Sequence, residues 1–254
     1  MKVVIGIPAR MGSSRLPGKP LKKILDKTMV EHVYKRCTLS KYAKNTFVAT
    51  CDQEIKDEVE SFGGEVIMTP KEISRPGLRI AVACESLELD DDDIVVVVQG
   101  DEPLVHPDMI DLAIEPLINE FDVYVSNLTD SFSSKEEWKD PNEIKVVTDL
   151  NMNAIYMSRS PIPSIEHEEI RGPRLKQICI MPFRWHFLKK FNHELSETPL
   201  ELAESIEMIR AIQHGYKVKM VQTKFFSKSV DTEQDRKEVE KIMKDDEIYK
   251  RHGF

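Results

Sequence analysis

The sequence predicts an α/β fold, a three-layer αβα sandwich built on a mostly parallel sheet. Three observations carry that expectation. Short apolar runs alternate with amphipathic stretches through the first half. Ile94-Val95-Val96-Val97-Val98 is an unbroken β-branched run, the mark of a strand buried on both faces. Glycine- and proline-containing loops follow two of the apolar runs directly, as they do where ligands bind beyond the carboxyl ends of parallel strands.

The elements follow in order. Val3 to Ile7 has a strand's length and is closed by Pro8. Thr28 to Leu39 places Met29, Val33 and Cys37 at helical spacing. Thr46 to Thr50 reads as a strand and Gln53 to Phe62 as a helix stopped by Gly63-Gly64. Glu65 to Met68 is a strand, Arg79 to Leu89 a helix, and Ile94 to Val98 the central strand. The second half is less regular. Glu143 to Thr148, Ala154 to Met157 and Ile178 to Pro182 read as strands, with a charged, proline-containing loop from Pro161 to Arg174 between the last two. Pro199 to His214 reads as one helix stopped by Gly215, Lys217 to Thr223 as a strand, and Thr232 to Lys244 as a final helix. Asp90 to Asp93 reads as a solvated turn.

Composition narrows the function classes. With 36 basic against 44 acidic residues, the net charge of −8 opposes a nucleic-acid coat. No segment is apolar and long enough to span a bilayer, and the N-terminal run is too short for a signal peptide. The four cysteines, Cys37, Cys51, Cys84 and Cys179, form no CxxC pair, which points to reduced thiols in a cytoplasm.

Three motifs carry chemistry. The first is the loop Arg10-Met11-Gly12-Ser13-Ser14-Arg15-Leu16-Pro17-Gly18-Lys19. It groups Arg10, Arg15 and Lys19 with turn-forming glycines and the small hydroxyls of Ser13 and Ser14, a combination suited to phosphate oxygens. It matches neither a Walker A sequence nor a GxGxxG fingerprint. The second is Val98-Gln99-Gly100-Asp101-Glu102-Pro103, where Asp101 follows the buried strand. It suits a Mg²⁺ ligand, or an ordinary turn. The third is Ser229-Val230-Asp231-Thr232-Glu233, where Asp231 suits a second Mg²⁺ ligand or a helix N-cap.

In this order the motifs resemble those of the CMP-sugar-acid synthetases, most closely the 3-deoxy-manno-octulosonate (KDO) cytidylyltransferases. Ile7-Pro8-Ala9-Arg10, Ser14 to Leu21, Val98 to Pro103, Asp140-Pro141-Asn142, Lys145-Val146-Val147, Ser158-Arg159 with Ile162-Pro163, Val230-Asp231-Thr232 and Ala203 to Arg210 carry the likeness. The resemblance implies transfer of CMP from CTP to the hydroxyl of a 2-keto-3-deoxy sugar acid, with pyrophosphate released, in lipopolysaccharide biosynthesis. It implies that Arg10, Arg15 and Lys19 hold the CTP phosphates, with Ser14 and Arg79 also on the nucleotide. It implies Mg²⁺ on Asp101 and Asp231, Gln99 at the substrate, and Arg159, Glu204 and Glu207 near the sugar acid. It further implies one cytidylyltransferase domain over 1–254, with roughly 135–200 forming a dimerisation and acceptor subdomain of a homodimer.

Two segments depart from the family pattern. Where the family carries SGT[DE]RxAE this chain has Ser74-Arg75-Pro76-Gly77-Leu78-Arg79-Ile80-Ala81-Val82, and the GIYGYR strand reads Cys179-Ile180-Met181-Pro182-Phe183-Arg184. Polar groups near base or sugar are therefore lost, which predicts a changed preference. The alternatives are another acceptor, namely 8-amino-KDO, a nonulosonate or a phosphonate; another base; or a nucleotide-binding module without turnover.

Overall fold

The computed structural model describes residues 1–13, 15–164 and 174–254. Ser14 and most of the Pro161–Arg174 loop lie outside them.

The main sheet has five strands, in the order Ile180–Arg184, Ile94–Val98, Val3–Pro8, Asn45–Thr50, Glu65–Met68. All neighbours are parallel except the Ile180–Arg184 edge. Side chains alternate across it. Val95 and Val97 enter one core with Phe47, Ile80 and Phe183, while Ile94, Val96 and Val98 enter another with Val33, Ile55 and Ile110. The continuous β-branched run is thus explained by two buried faces rather than one. Helices Met29–Cys37, Gln53–Ser61 and Pro107–Asn119 contribute to the second core, and helices Pro76–Cys84 and Trp185–His193 to the first.

A second sheet was not foreseen as such. Its order is Lys219–Gln222, Ser126–Ser131, Leu175–Ile178, Lys145–Thr148, Ala154–Ser158, and it is antiparallel apart from the first pair. A bridge between Val125 and Phe183 links the two sheets.

Four expectations are corrected. The strand read as Ile178–Pro182 is two strands in different sheets, meeting at Cys179. The helix read as Arg79–Leu89 is Pro76–Cys84, because Pro76 supplies a pre-set first-turn backbone. The helix read as Pro199–His214 is two, Pro199–Glu204 and Met208–Gln213, broken where Ser205 takes the left-handed region at φ 53°. The Asp90–Asp93 turn is only partly solvated: Asp93 is buried and accepts from the Lys2 N–H at 2.5 Å and the Asp90 N–H at 2.9 Å.

A third, smaller core decides where the chemistry sits. Leu16, Leu104 and Val230 pack with Ile24, Met29, Val239 and Met243. Each of the first three belongs to, or adjoins, one of the three motifs, so burying them pulls the motifs together from behind.

Candidate active site

The Arg10–Lys19 loop follows the strand that ends at Pro8 and folds on itself. Met11 N–H donates to Asp52 Oδ2 at 2.7 Å, and Met11 carbonyl accepts from Ser13 at 2.9 Å and from Gly18 at 3.3 Å. Gly18 sits at φ 67°, a conformation that favours glycine, and the chain then turns into a short 3₁₀ segment, Lys19–Leu21. This reversal returns Lys19 to the cleft.

There Lys19 Nζ lies between two carboxylates, 2.8 Å from Asp101 Oδ2 and 3.1 Å from Asp231 Oδ1. Arg15 Nη2 reaches Asp231 at 3.0 Å, and Arg15 Nη1 donates to Asn142 Oδ1 at 2.8 Å. Val230 N–H donates to the Asp101 carbonyl at 2.9 Å, stitching the second and third motifs together. Gly100 makes the approach possible, since a Cβ there would stand 2.9 Å from the Pro8 carbonyl oxygen. Burial pulls the Lys19 ammonium down, but Asp101 and Asp231 outweigh it and hold the pKa above lysine's ordinary value.

The cleft encloses about 350 Å³ and is lined by Arg10, Arg15, Lys19, Arg79, Gln99, Gly100, Asp101 and Asp231, with Ser74 and Pro76 on one wall. The two readings of Asp231 separate here. Thr232, not Asp231, caps helix Glu233–Met243 through a capping box with Asp235, which leaves the Asp231 carboxylate facing the cations. Among the described residues no group of three or more His, Cys, Asp or Glu side chains forms a metal cage. Two carboxylates opening on a cleft are nevertheless a donor set that suits Mg²⁺, which takes few protein ligands and completes its shell with phosphate oxygens and water.

The other expected site residues divide. Arg10 is exposed on the cleft, and Gln99 lines it while donating its backbone N–H to Cys179 at 3.2 Å. Arg79 lines it too, yet its guanidinium is buried and engaged with Thr69 Oγ1 and the Ile73 carbonyl, so it fastens the 69–75 loop. Arg159, Glu204 and Glu207 are not among the lining residues. Arg159 adjoins the cleft rim by donating to the Pro141 carbonyl at 3.0 Å, beside Asn142. Glu204 accepts from Arg159 N–H at 2.8 Å, Ser158 Oγ at 2.7 Å and Tyr156 at 3.2 Å; these bonds outweigh burial and lower its pKa. Glu207 is half-buried with its Oε1 out of solvent, and desolvation raises its carboxyl pKa.

Sequence reasoning passed over three residues. Asn142 orients Arg15, and its signal was the Asp140-Pro141-Asn142 motif itself. Lys145 is buried and donates to the Glu143 and Arg159 carbonyls at 2.8 and 2.9 Å, tying the two rim segments together. Glu102 is buried next to Asp101; desolvation first, then the Asp101 charge, pushes its carboxyl up to about 8, while Ser227 Oγ donates to it at 2.6 Å. Nothing local in the sequence distinguishes it from an exposed turn carboxylate.

Comparison with known proteins points to one family. A family model described as Cytidylyltransferase matches residues 3–241. A 3-deoxy-manno-octulosonate cytidylyltransferase of Solibacter usitatus (strain Ellin6076) is 38% identical over 243 residues, 96% of this chain and 95% of its own. An 8-amino-3,8-dideoxy-manno-octulosonate cytidylyltransferase of Shewanella pealeana (strain ATCC 700345 / ANG-SQ1) is 41% identical over 238 residues, covering 92% of this chain and 96% of its own. The solved structure of a CMP:2-keto-3-deoxy-manno-octonic acid synthetase complexed with CTP superposes with a TM-score of 0.90 at 33% identity, over 96% of this chain and 99% of that one. Among the described residues no helix is long and apolar enough to cross a membrane. The matched model and the relatives, aligned over nearly their full length, show that this chain belongs to the cytidylyltransferase family, a family of nucleotidyltransferase enzymes.

Proposed function

We propose that the chain moves CMP from CTP to the hydroxyl of KDO or a KDO-like sugar acid and releases pyrophosphate. The observation that carries this is the placement of Lys19 Nζ between Asp101 and Asp231, with Arg15 on Asp231, at the strand ends where the cleft opens. Arg10, Arg15 and Lys19 hold the triphosphate. Asp101 and Asp231 hold Mg²⁺, which when bound neutralises phosphate oxygens and lowers the barrier to displacement. The chain's own work is positioning. Arg15, fixed by Asn142, presents its fork to the phosphates, and Lys19 follows the charge that develops on the leaving pyrophosphate. With Gln99 at the substrate, the acceptor hydroxyl attacks the α-phosphorus in line, its proton passes to solvent and the bond to pyrophosphate breaks. Arg159 and Glu204 support the acceptor side, while Glu207, read from its motif as an acceptor residue, stands behind the nucleotide wall at Gly77.

The relatives' names supply the acceptor class, and they include both KDO and its 8-amino counterpart. Four free cysteines fit a reducing cytoplasm, and a role in lipopolysaccharide biosynthesis follows from the acceptor. Leu150 and Ile155, exposed beside the edge strand Ala154–Ser158, suit a homodimer contact formed by residues 135–200. The test is pyrophosphate release with Mg²⁺ and CTP across KDO, 8-amino-KDO, a nonulosonate and a phosphonate, with ATP, GTP and UTP as controls. Release with CTP and KDO or 8-amino-KDO is expected. CTP binding without turnover on any acceptor would favour a non-catalytic module, and release with another triphosphate would overturn the choice of base.

A further inference from the structure

Behind the cleft, the short segment Glu204–Glu207 grips one of its walls and the Ser158–Arg159 strand end. Helix Pro76–Cys84 begins with no cap of its own: Arg75 stands at the N-cap position, and its side chain makes no capping bond. It turns away to pair with Glu197 at 2.5 Å and Glu201 at 2.7 Å. The capping acceptor comes from elsewhere in the chain. Glu207 Oε2 accepts from the Gly77 N–H at 3.4 Å, while its Oε1 is buried without a hydrogen-bond partner among the described residues. Gly77 brings no side chain to this contact, and a Cβ there would stand 3.3 Å from Oε1. Ser74, Pro76 and Arg79, all within three residues of Gly77, line the cleft.

The same segment also holds the Ser158–Arg159 strand end, outside the cleft lining. Glu204 accepts from the Arg159 N–H and Ser158 Oγ, and its carbonyl accepts from Arg159 Nε at 2.8 Å. In an unbroken helix, residues 204 and 207 would be neighbours on one face. The left-handed turn at Ser205 separates them, so that Glu204 serves the Ser158–Arg159 strand end and Glu207 serves Gly77.

We propose that Arg75 and Glu207 are positioning residues for the nucleotide, setting the Ser74–Arg79 wall from behind without touching the ligand. This rests on the cytidylyltransferase reading above. A cap at the helix start matters because the wall lies within the same turn, and a small displacement of groups that define a binding site costs affinity for what they contact.

The test uses the full chain with CTP and Mg²⁺. Calorimetric titration should show CTP bound about fivefold more weakly by Glu207→Ala, the size of a lost cap. Arg75→Ala, which loses the ties to Glu197 and Glu201, should also bind CTP more weakly than the parent. Glu207→Gln should stay within about twofold of the parent, because its amide oxygen still accepts from Gly77. In turnover with the acceptor, the loss should fall on KM for CTP and leave kcat at saturation nearly unchanged. Hydrogen exchange at the Gly77 amide, read without ligand, should quicken in Glu207→Ala and not in Glu207→Gln. Unchanged CTP affinity in Glu207→Ala overturns the proposal. So does a Gln variant as weak as the Ala variant, since that would require the charge itself. A parent chain that binds no CTP would sink the donor assignment, and unaltered Gly77 exchange would still sink the clamp independently.

Discussion

Lys19 and Arg210 each hold carboxylates, in opposite settings. Lys19 bridges Asp101 and Asp231, whose side chains are 28% and 29% exposed on an open cleft. Arg210 grips the wholly buried Glu201 through two bonds, Nε to Oε2 at 2.8 Å and Nη2 to Oε1 at 2.5 Å, while Arg75 takes Oε1 from the other side. The first set keeps water-accessible lone pairs and can exchange partners when an anion or a cation arrives. In the second, the carboxylate has spent its acceptors on protein and has no solvent to fall back on. Ion pairs alone therefore do not mark a site; access and the freedom to exchange partners do.

The comparison can be broken from either side. The largest effect is expected at the cleft. Asp101→Asn should cut kcat by about a thousandfold in a pyrophosphate-release assay, the size of losing a preorganised charge contact, while the thermal midpoint moves little. Near-normal Mg²⁺-dependent turnover in that variant would remove Asp101 from the metal assignment. Arg210→Met should do the reverse. It leaves buried Glu201 with only part of its compensation, so a loss of about 3 kcal/mol is expected in urea unfolding. A loss below about 1 kcal/mol would mean that water reaches Glu201 and that the two regions differ less than their burial suggests.

The smallest effect concerns Glu207, which is half-buried and whose Oε1 has no hydrogen-bond partner among the described residues. Burial raises its carboxyl pKa above the ordinary 4.5. The folded chain then keeps a proton that the unfolded chain has already released. The stabilising contribution is whole below the unfolded pKa and is lost as pH rises through the folded value. Glu207→Gln should flatten the decline in unfolding free energy over that window. An identical slope in parent and variant would show that the carboxyl titrates normally.

Much of the cleft was legible because its residues are local. Arg10 to Lys19 form one loop, and Gln99 to Asp101 follow directly from the strongest strand. The second sheet was not legible. Ser126–Ser131 reads as polar chain, and only pairing with Leu175–Ile178 and Lys219–Gln222 makes it a strand. The break at Ser205 was hidden for a related reason: local propensity over Pro199–His214 favours one helix, while carboxylates with partners on two separate segments accompany two. Arg79 matched a family position on paper, yet its guanidinium is engaged by Thr69 and Ile73.

The sequence by itself determined the parallel core and the phosphate loop, because hydrophobic periodicity and glycine placement act over a few residues. It also marked Asp101 and Asp231 as carboxylates open to two roles. Only the tertiary structure decided between those roles. Val230 and Leu104 are buried with Leu16, which draws segments more than a hundred residues apart to one ammonium group, and Thr232 takes the helix cap, leaving Asp231 free to face it. Burial sums over the whole chain, so no local window could have shown which carboxylates it would bring to Lys19.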